Sequence, residues 1–389
     1  MPTNAVLRGW AMATVGELAA VLDRLWPVAW AEPWDNVGLL VGDHADSVQR
    51  CLCALDADTT TVADAVAAGA QMLLTHHPLP FRPLRRLTAE DPTGRGLLLA
   101  ARSRVAIYAA HTNFDVHPEG VNRALADALG LRAAVPLRIT GREALYKLVV
   151  FVPAGHEDAV RDALADAGAG HLGRYSHCTF AAPGTGTFRP LSGARPFVGH
   201  VGTTTRQSEL RLEALVTERC RGDAVQAMLR AHPYEEVAYD LVRLENDGPA
   251  RGLGLVGDLA RARRLSTLAA FVGRRLRAPA TRLVGDPARI VRRVAVCGGA
   301  GAELAAPARA AGAEVLITAD VRYHEAREAE ASGLALIDPG HQATEAPAVP
   351  VLAAGLQRAA AAAGCPVEVL VQPPRQDVWR AVGGRGGAG

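Results

Sequence analysis

At 389 residues, with 49% hydrophobic and 21% charged side chains, the chain is long enough for two domains, each burying a core of its own. A formal net charge of +2 and an aromatic content of 5% advertise neither a phosphate-neutralising surface nor a base-stacking platform, so nucleic acid is a poor partner. The cysteines are scattered without a CxxC pair, which argues against a disulfide framework or a cysteine zinc site. No basic stretch precedes an apolar core at the N-terminus and no 18-residue apolar run occurs, so the expectation is a cytoplasmic protein with no membrane partner.

Met12 stands directly before the first recognisable element and is a candidate start. Thr14-Val-Gly-Glu17 has capping-box spacing, and the run after it is amphipathic at helical period, so the fold opens with a helix. RCLCALDA, TTTVADAVAAG, AQMLLTH, GRGLLLAARS, RVAIYAAHT and EGVNRALADALG then alternate short β-rich runs with alanine-rich helical ones. That rhythm predicts a largely parallel sheet covered by helices, an α/β core domain. Within it, Cys51 and Cys53 read as one face of a buried strand.

From YKLVVFVP to EEVAYDLVRLEN the order becomes strand, helix, hairpin, strand, helix, strand, which is ferredoxin-like. The βαβ rhythm resumes after Gly252 with RRVAVCGGAGAEL, GAEVLITAD, GLALIDPGH and PVEVLVQ. The expected organisation is therefore a core of residues 14–143 plus 251–374, interrupted by a ferredoxin-like α+β insert over 144–250. The tail 375–389 reads as disordered.

Four apolar runs end in metal-competent residues: MLLTHH with His76 and His77, AIYAAHTNFD with His111 and Asp115, VLITADVRYH with Asp320 and His324, and LALIDPGHQATE with His341 and Glu345. Each lies at the carboxyl end of a predicted parallel strand, the edge where open α/β sheets bind ligands. Pro78 keeps His77 out of helical geometry, so two adjacent imidazoles can face one cavity from different angles. Two divalent ions about 3.5–4 Å apart would use them naturally, one imidazole on each. His341 and Glu345, four apart, share one side of a helical turn if a helix starts there.

A single strand-end histidine is more often structural than ligating, but four coincident strand ends are harder to dismiss. His44, His117, His156, His171, His177, His200 and His232 lack such company and read as loop, helix or sheet-surface residues. CGGAGAEL is equally an anion cradle at a helix N-terminus or a tight packing turn. AEPWDNVGLLVGD either packs Trp34 or lines the cleft through Asp35 and Asn36. There is no Walker A sequence and no GxSxG elbow.

Taken together, WDNVGLLVGD, LLTHHPL, AHTNFD, HPYEEVAYD, VCGGAGAEL, ITADVRYHEA and DPGHQATE resemble, in order over about residues 14–374, the Nif-three-like dinuclear metal-centre family, often labelled GTP cyclohydrolase type 2 homologues. The resemblance implies metal ligands at His76, His77, Asp115, His341 and Glu345, with Glu345 bridging. It also implies a ring-like homohexamer with sites facing an inner cavity, and a PII/CutA-like insert. Ala319 departs from the glycine of the ITGD form, and Gln342 from a common aromatic.

The expected function is a dinuclear metal-dependent hydrolase whose substrate the sequence does not name, nucleotides and phosphoesters being the classes to screen, acting through a hydroxide shared by two divalent ions, zinc, iron or manganese. His111 and His324, outside the implied ligand set, are candidate catalytic acid/base groups, oriented by Asp320 and Tyr323. The rival expectation is a non-catalytic metal-binding hexamer whose insert recognises a partner or a small regulator.

Overall fold

The computed structural model describes residues 12–380 and divides them into two compact units, one of residues up to Thr140 together with those from Arg251 onward, the other Gly141–Ala250. The tail expected to be disordered lies outside the described residues from 381 on. Within its described part Arg375 is tied down by ion pairs to Asp58 and Asp64.

The first unit opens with the helix Val15–Leu25. Thr14 and Glu17 form the reciprocal cap, with the Glu17 N–H donating to the Thr14 hydroxyl at 3.2 Å and the Thr14 N–H donating to the Glu17 carboxylate at 2.8 Å. Such a cap contributes about 1 kcal/mol and fixes where the helix begins. Val15, Leu18 and Leu22 are buried on its inner face.

The parallel rhythm of the sequence divides between two sheets. The first has the order Glu368–Val371, Arg50–Ala54, Met72–Thr75, Ala106–Ala109, Gly38–Val41, parallel except for the last strand. Cys51 and Cys53 pack on one face with Leu18, Leu22, Leu352 and Leu356, whereas Leu52 and Ala54 pack on the other with Val62, Ala65 and Leu97. Burial on both faces is why these strands read as continuous apolar runs rather than alternating ones.

The second sheet has the order Arg282–Val284, Ala335–Asp338, Val315–Ala319, Ile290–Ala300, Ala250–Arg264, Arg132–Arg142. Its three middle-chain strands Ile290–Ala300, Val315–Ala319 and Ala335–Asp338 are parallel, with Arg282–Val284 and Ala250–Arg264 antiparallel to their neighbours. PVEVLVQ, which continues the second rhythm in sequence, returns to the first sheet beside Arg50–Ala54.

The second unit is an antiparallel sheet of order Tyr239–Leu244, Leu145–Pro153, Thr205–Thr217, Thr179–Phe188, with the helices Glu157–Asp166 and Arg221–Ala231. This is the ferredoxin-like arrangement. Leu148, Val150, Val152, Leu212 and Val216 on one face close a core with Val160, Leu164 and Met228 of the helices. No helix among the described residues is long and apolar enough to cross a membrane.

Candidate metal centre

The carboxyl ends of strands from both sheets of the first unit meet. Beyond Met72–Thr75 the chain bends at His76 and His77 while their N–H groups still donate to the carbonyls of Ala54 and Leu55, at 3.3 and 2.8 Å. The two adjacent imidazoles lie with centroids 4.9 Å apart at 44°. His111 follows Ala106–Ala109 and its carbonyl starts the one-turn helix Thr112–Asp115, which presents the Asp115 carboxylate. Asp320 follows Val315–Ala319 in a left-handed conformation (φ +54°), one that aspartate tolerates. Gly340 (φ +100°) turns the chain into the short helix His341–Glu345, which puts His341 and Glu345 on one side.

Each of the four imidazoles is held by its Nδ1: His76 by the Ala110 carbonyl at 2.9 Å, His77 by Asp56 at 2.7 Å, His111 by Asp35 at 2.8 Å, and His341 by Asp320 at 2.6 Å. A carbonyl or a carboxylate can only accept, so Nδ1 carries a proton and Nε2 is the nitrogen left to bind a cation, which would displace any proton that Nε2 holds. The Nε2 atoms of His76, His77 and His341 converge on carboxylates. Glu345 Oε2 lies 3.0 Å from His77 Nε2 and 3.1 Å from His341 Nε2, while His76 Nε2 is 3.7 Å from both Glu345 Oε1 and Asp115 Oδ1. Two overlapping groups, His76/His77/His111 and His77/His341/Glu345, bring their ligand atoms within 4.8 Å of one another.

The residues fit a cation. His76 Nε2 and Asp115 Oδ1 are buried without a hydrogen-bond partner among the described residues, an expensive condition that a divalent ion would relieve. Burial alone would neutralise Glu345, but the imidazoles of His341, His76 and His77 hold its carboxyl far below the usual range. Burial likewise opposes charge on His77, yet Asp56 and Glu345 raise it to about 10; His341 is raised to about 9 by Glu345 and Asp320 against the same burial. Burial pushes the Asp115 carboxyl up. Asp35 is held near 2, the imidazole of His111 and the Thr112 hydroxyl and N–H outweighing its burial.

The glycines of CGGAGAEL act by close packing. The Gly298 N–H donates to Asn122 and the Gly299 N–H to Thr344, so neither is available to an anion. A Cβ on Gly299 (φ +61°) would come within 2.4 Å of Glu345 Oε1.

Of the residues expected at the site, His76, His77, His111, Asp115, Asp320, His341 and Glu345 come together. His324 does not: it is exposed on the helix Tyr323–Ala331, with a ring contact to its neighbour Tyr323. Asp320 orients His341 rather than His111 or His324, and Asp35 takes the role on His111. Asp35 lay in a stretch whose reading stayed open, and Asp56, the partner of His77, was missed. Its one signal is that RCLCALDA also ends in a carboxylate at a parallel strand's carboxyl end. His117 and His232, expected as loop, helix or sheet-surface residues, lie outside helices and strands but are buried.

The sequence model of the Duf34/NIF3 (NGG1p interacting factor 3) family matches residues 13–377. A Halalkalibacterium halodurans protein named GTP cyclohydrolase 1 type 2 homolog is 44% identical over 321 residues, 82% of this chain and 86% of that one. A Mycobacterium tuberculosis protein of the same name is 42% identical over 337 residues, covering 86% and 88%. The crystal structure of a Bacillus cereus protein related to NIF3 superimposes with a TM-score of 0.81 at 37% identity, over 96% of this chain and all of that one. The chain belongs to the Duf34/NIF3 family.

Proposed function

We propose that the protein is a hydrolase in which His76, His77, Asp115, His341 and Glu345 would hold a dinuclear metal centre. The observation that carries this reading is the shared anchoring of four imidazoles. Every Nδ1 is engaged by an oxygen, which leaves the Nε2 atoms of His76, His77 and His341 to face a cation, with a carboxylate that can bridge among them and His111 beside them. Divalent ions at such a site lower the pKa of a bound water to about 7 and polarise a carbonyl or phosphoryl oxygen.

The chain's own groups would do the rest. His111, positioned by Asp35 and buried at 8% exposure, can carry a proton between the reacting oxygen and solvent. Asp56 and Asp320 hold the His77 and His341 rings in place and raise their basicity. A mixed imidazole and carboxylate set suits zinc, iron or manganese. Nucleotides and phosphoesters are the substrate classes that a pair of ions clamps best. A cytoplasmic homohexamer is the assembly and location that belong to this reading.

The test is turnover. Protein loaded in turn with zinc, iron and manganese should hydrolyse at least one member of a panel of nucleotides and phosphoesters, and lose that activity on chelation and in Glu345→Ala. A full site that turns over nothing in the panel would favour a non-catalytic metal-binding role.

A further inference from the structure

The second unit carries a cavity of about 720 Å³ on the face of its sheet opposite the two helices. That is a ligand-sized volume. Its floor is the strand Thr179–Phe188, where Gly184 and Gly186 leave the surface without side chains. Across Gly186 lies the side chain of Glu209: a Cβ on that glycine would fall 2.0 Å from Glu209 Oε2.

Glu209 is only 8% exposed, yet it lines the cavity. Its Oε1 accepts a hydrogen bond from the Tyr234 hydroxyl at 3.0 Å, and its Oε2 has no hydrogen-bond partner among the described residues. Tyr234 is held in turn by His232, which accepts from the Tyr234 N–H through Nδ1 at 3.1 Å and donates from Nε2 to the Phe151 carbonyl at 3.0 Å. Rings close the walls, Phe188 and Phe197 lying 6.1 and 6.0 Å from Tyr234. HPYEE, part of the motif HPYEEVAYD, thus contributes a wall of the cavity.

The charge balance selects a ligand class. Glu209, Glu235 and Glu236 line the cavity against Arg189 and Arg211. Arg211 is paired with Glu213 at 3.0 Å, and Arg189 donates to the Gly202 carbonyl at 2.6 Å. A buried carboxylate with one open oxygen, ringed by aromatic faces, favours a cation bearing N–H groups.

We propose that this cavity binds a small organic cation, an amine, amidinium or guanidinium compound, whose N–H groups donate to Glu209 Oε2 while its apolar body lies against Tyr234, Phe188 and Phe197. The full-length protein is titrated calorimetrically with benzamidine, with agmatine, and with benzamide, the uncharged isostere of benzamidine. Benzamidine or agmatine should bind saturably, benzamide at least about tenfold more weakly, and Glu209→Gln should cut cation affinity by about tenfold or more, as a charge-assisted hydrogen bond implies. Gly186→Ala, which displaces Glu209, should do the same. Hydrogen exchange in 184–188 and 232–236 of the wild type should slow with benzamidine, a readout that does not depend on any variant folding. Failure of every cationic probe to saturate the wild type below about 10 mM, a range already weaker than a 1 mM complex of about 4 kcal/mol, would overturn the proposal. So would equal binding of benzamide and benzamidine, or unchanged binding by folded Glu209→Gln.

Discussion

His111 is the residue whose role the geometry divides most finely. Its ligand atom lies within 4.8 Å of those of His76 and His77, and its other nitrogen is fixed by Asp35. As the proton carrier, it predicts that His111→Ala keeps both ions and loses about 10²–10⁴ in turnover. A loss of metal affinity of about 10–100-fold, with activity recovered at high metal, would instead place it in support of the ions. Titrating metal during the assay separates the two.

Gly299 makes a sharper residue-level prediction. Alanine there adds a Cβ 2.4 Å from Glu345 Oε1 in a backbone region that costs L-residues about 1–2 kcal/mol, so Gly299→Ala should lower both the melting temperature and the metal affinity. Wild-type metal affinity in a folded Gly299→Ala protein would show that Glu345 is not held where the structure puts it. The proposed ligands were legible because each follows closely on an apolar run that reads as a strand. Their anchors were not: Asp35 meets His111 across 76 positions of sequence, and nothing local marks that pairing. His324 misled because its helix turns it to solvent, a matter of phase that strand-end reasoning ignores.

Elements were legible by type and less so by partner. The capping box at Thr14, the buried strand at Cys51 and the start of a helix at His341 follow from local pattern. The division into two sheets does not, because parallel pairing is settled by tertiary packing. The strand Glu368–Val371 joins Arg50–Ala54, more than 300 positions away. Just beyond it, Arg375 clamps Asp58 and Asp64 near the helix Thr59–Ala67.

This clamp carries a pH prediction. Burial works against ionising Asp58, but the Thr61 N–H and hydroxyl and Arg375 hold its carboxyl below the usual value, and Arg375 with Gln372 does the same for Asp64. A depressed carboxyl pKa gives stability that is fully present above the unfolded value of about 3.9 and disappears as pH falls through the folded one. Arg375→Ala should therefore melt a few degrees below wild type at neutral pH, consistent with an exposed pair worth under about 1 kcal/mol, and the gap should narrow once pH falls below the unfolded carboxyl value and close as both carboxylates are protonated in the folded state. A gap independent of pH would mean that Arg375 acts through packing instead.

At the scale of the whole molecule, the two units have separate cores, and all the proposed ligands lie in the first. The ends of the second unit are adjacent, since the Glu143 N–H donates to the Pro249 carbonyl at 3.0 Å. Units joined through close ends tolerate removal. Replacing residues 141–250 with a short glycine linker should leave a soluble first unit that binds metal as the full chain does, measured by metal analysis of the purified product. A metal-free or insoluble product with several linkers would make the second unit integral to the first.

If His76, His77, Asp115, His341 and Glu345 hold two ions, counting those ions is the most direct test of the dinuclear centre. Purified protein stripped with chelator, reconstituted with zinc, iron or manganese and freed of excess should contain two ions per chain by elemental analysis. Glu345→Ala should lose most of both, because that carboxylate faces the His77 and His341 nitrogens at 3.0 and 3.1 Å. One ion or fewer in fully reconstituted wild type, or two ions retained by Glu345→Ala, would contradict the dinuclear centre.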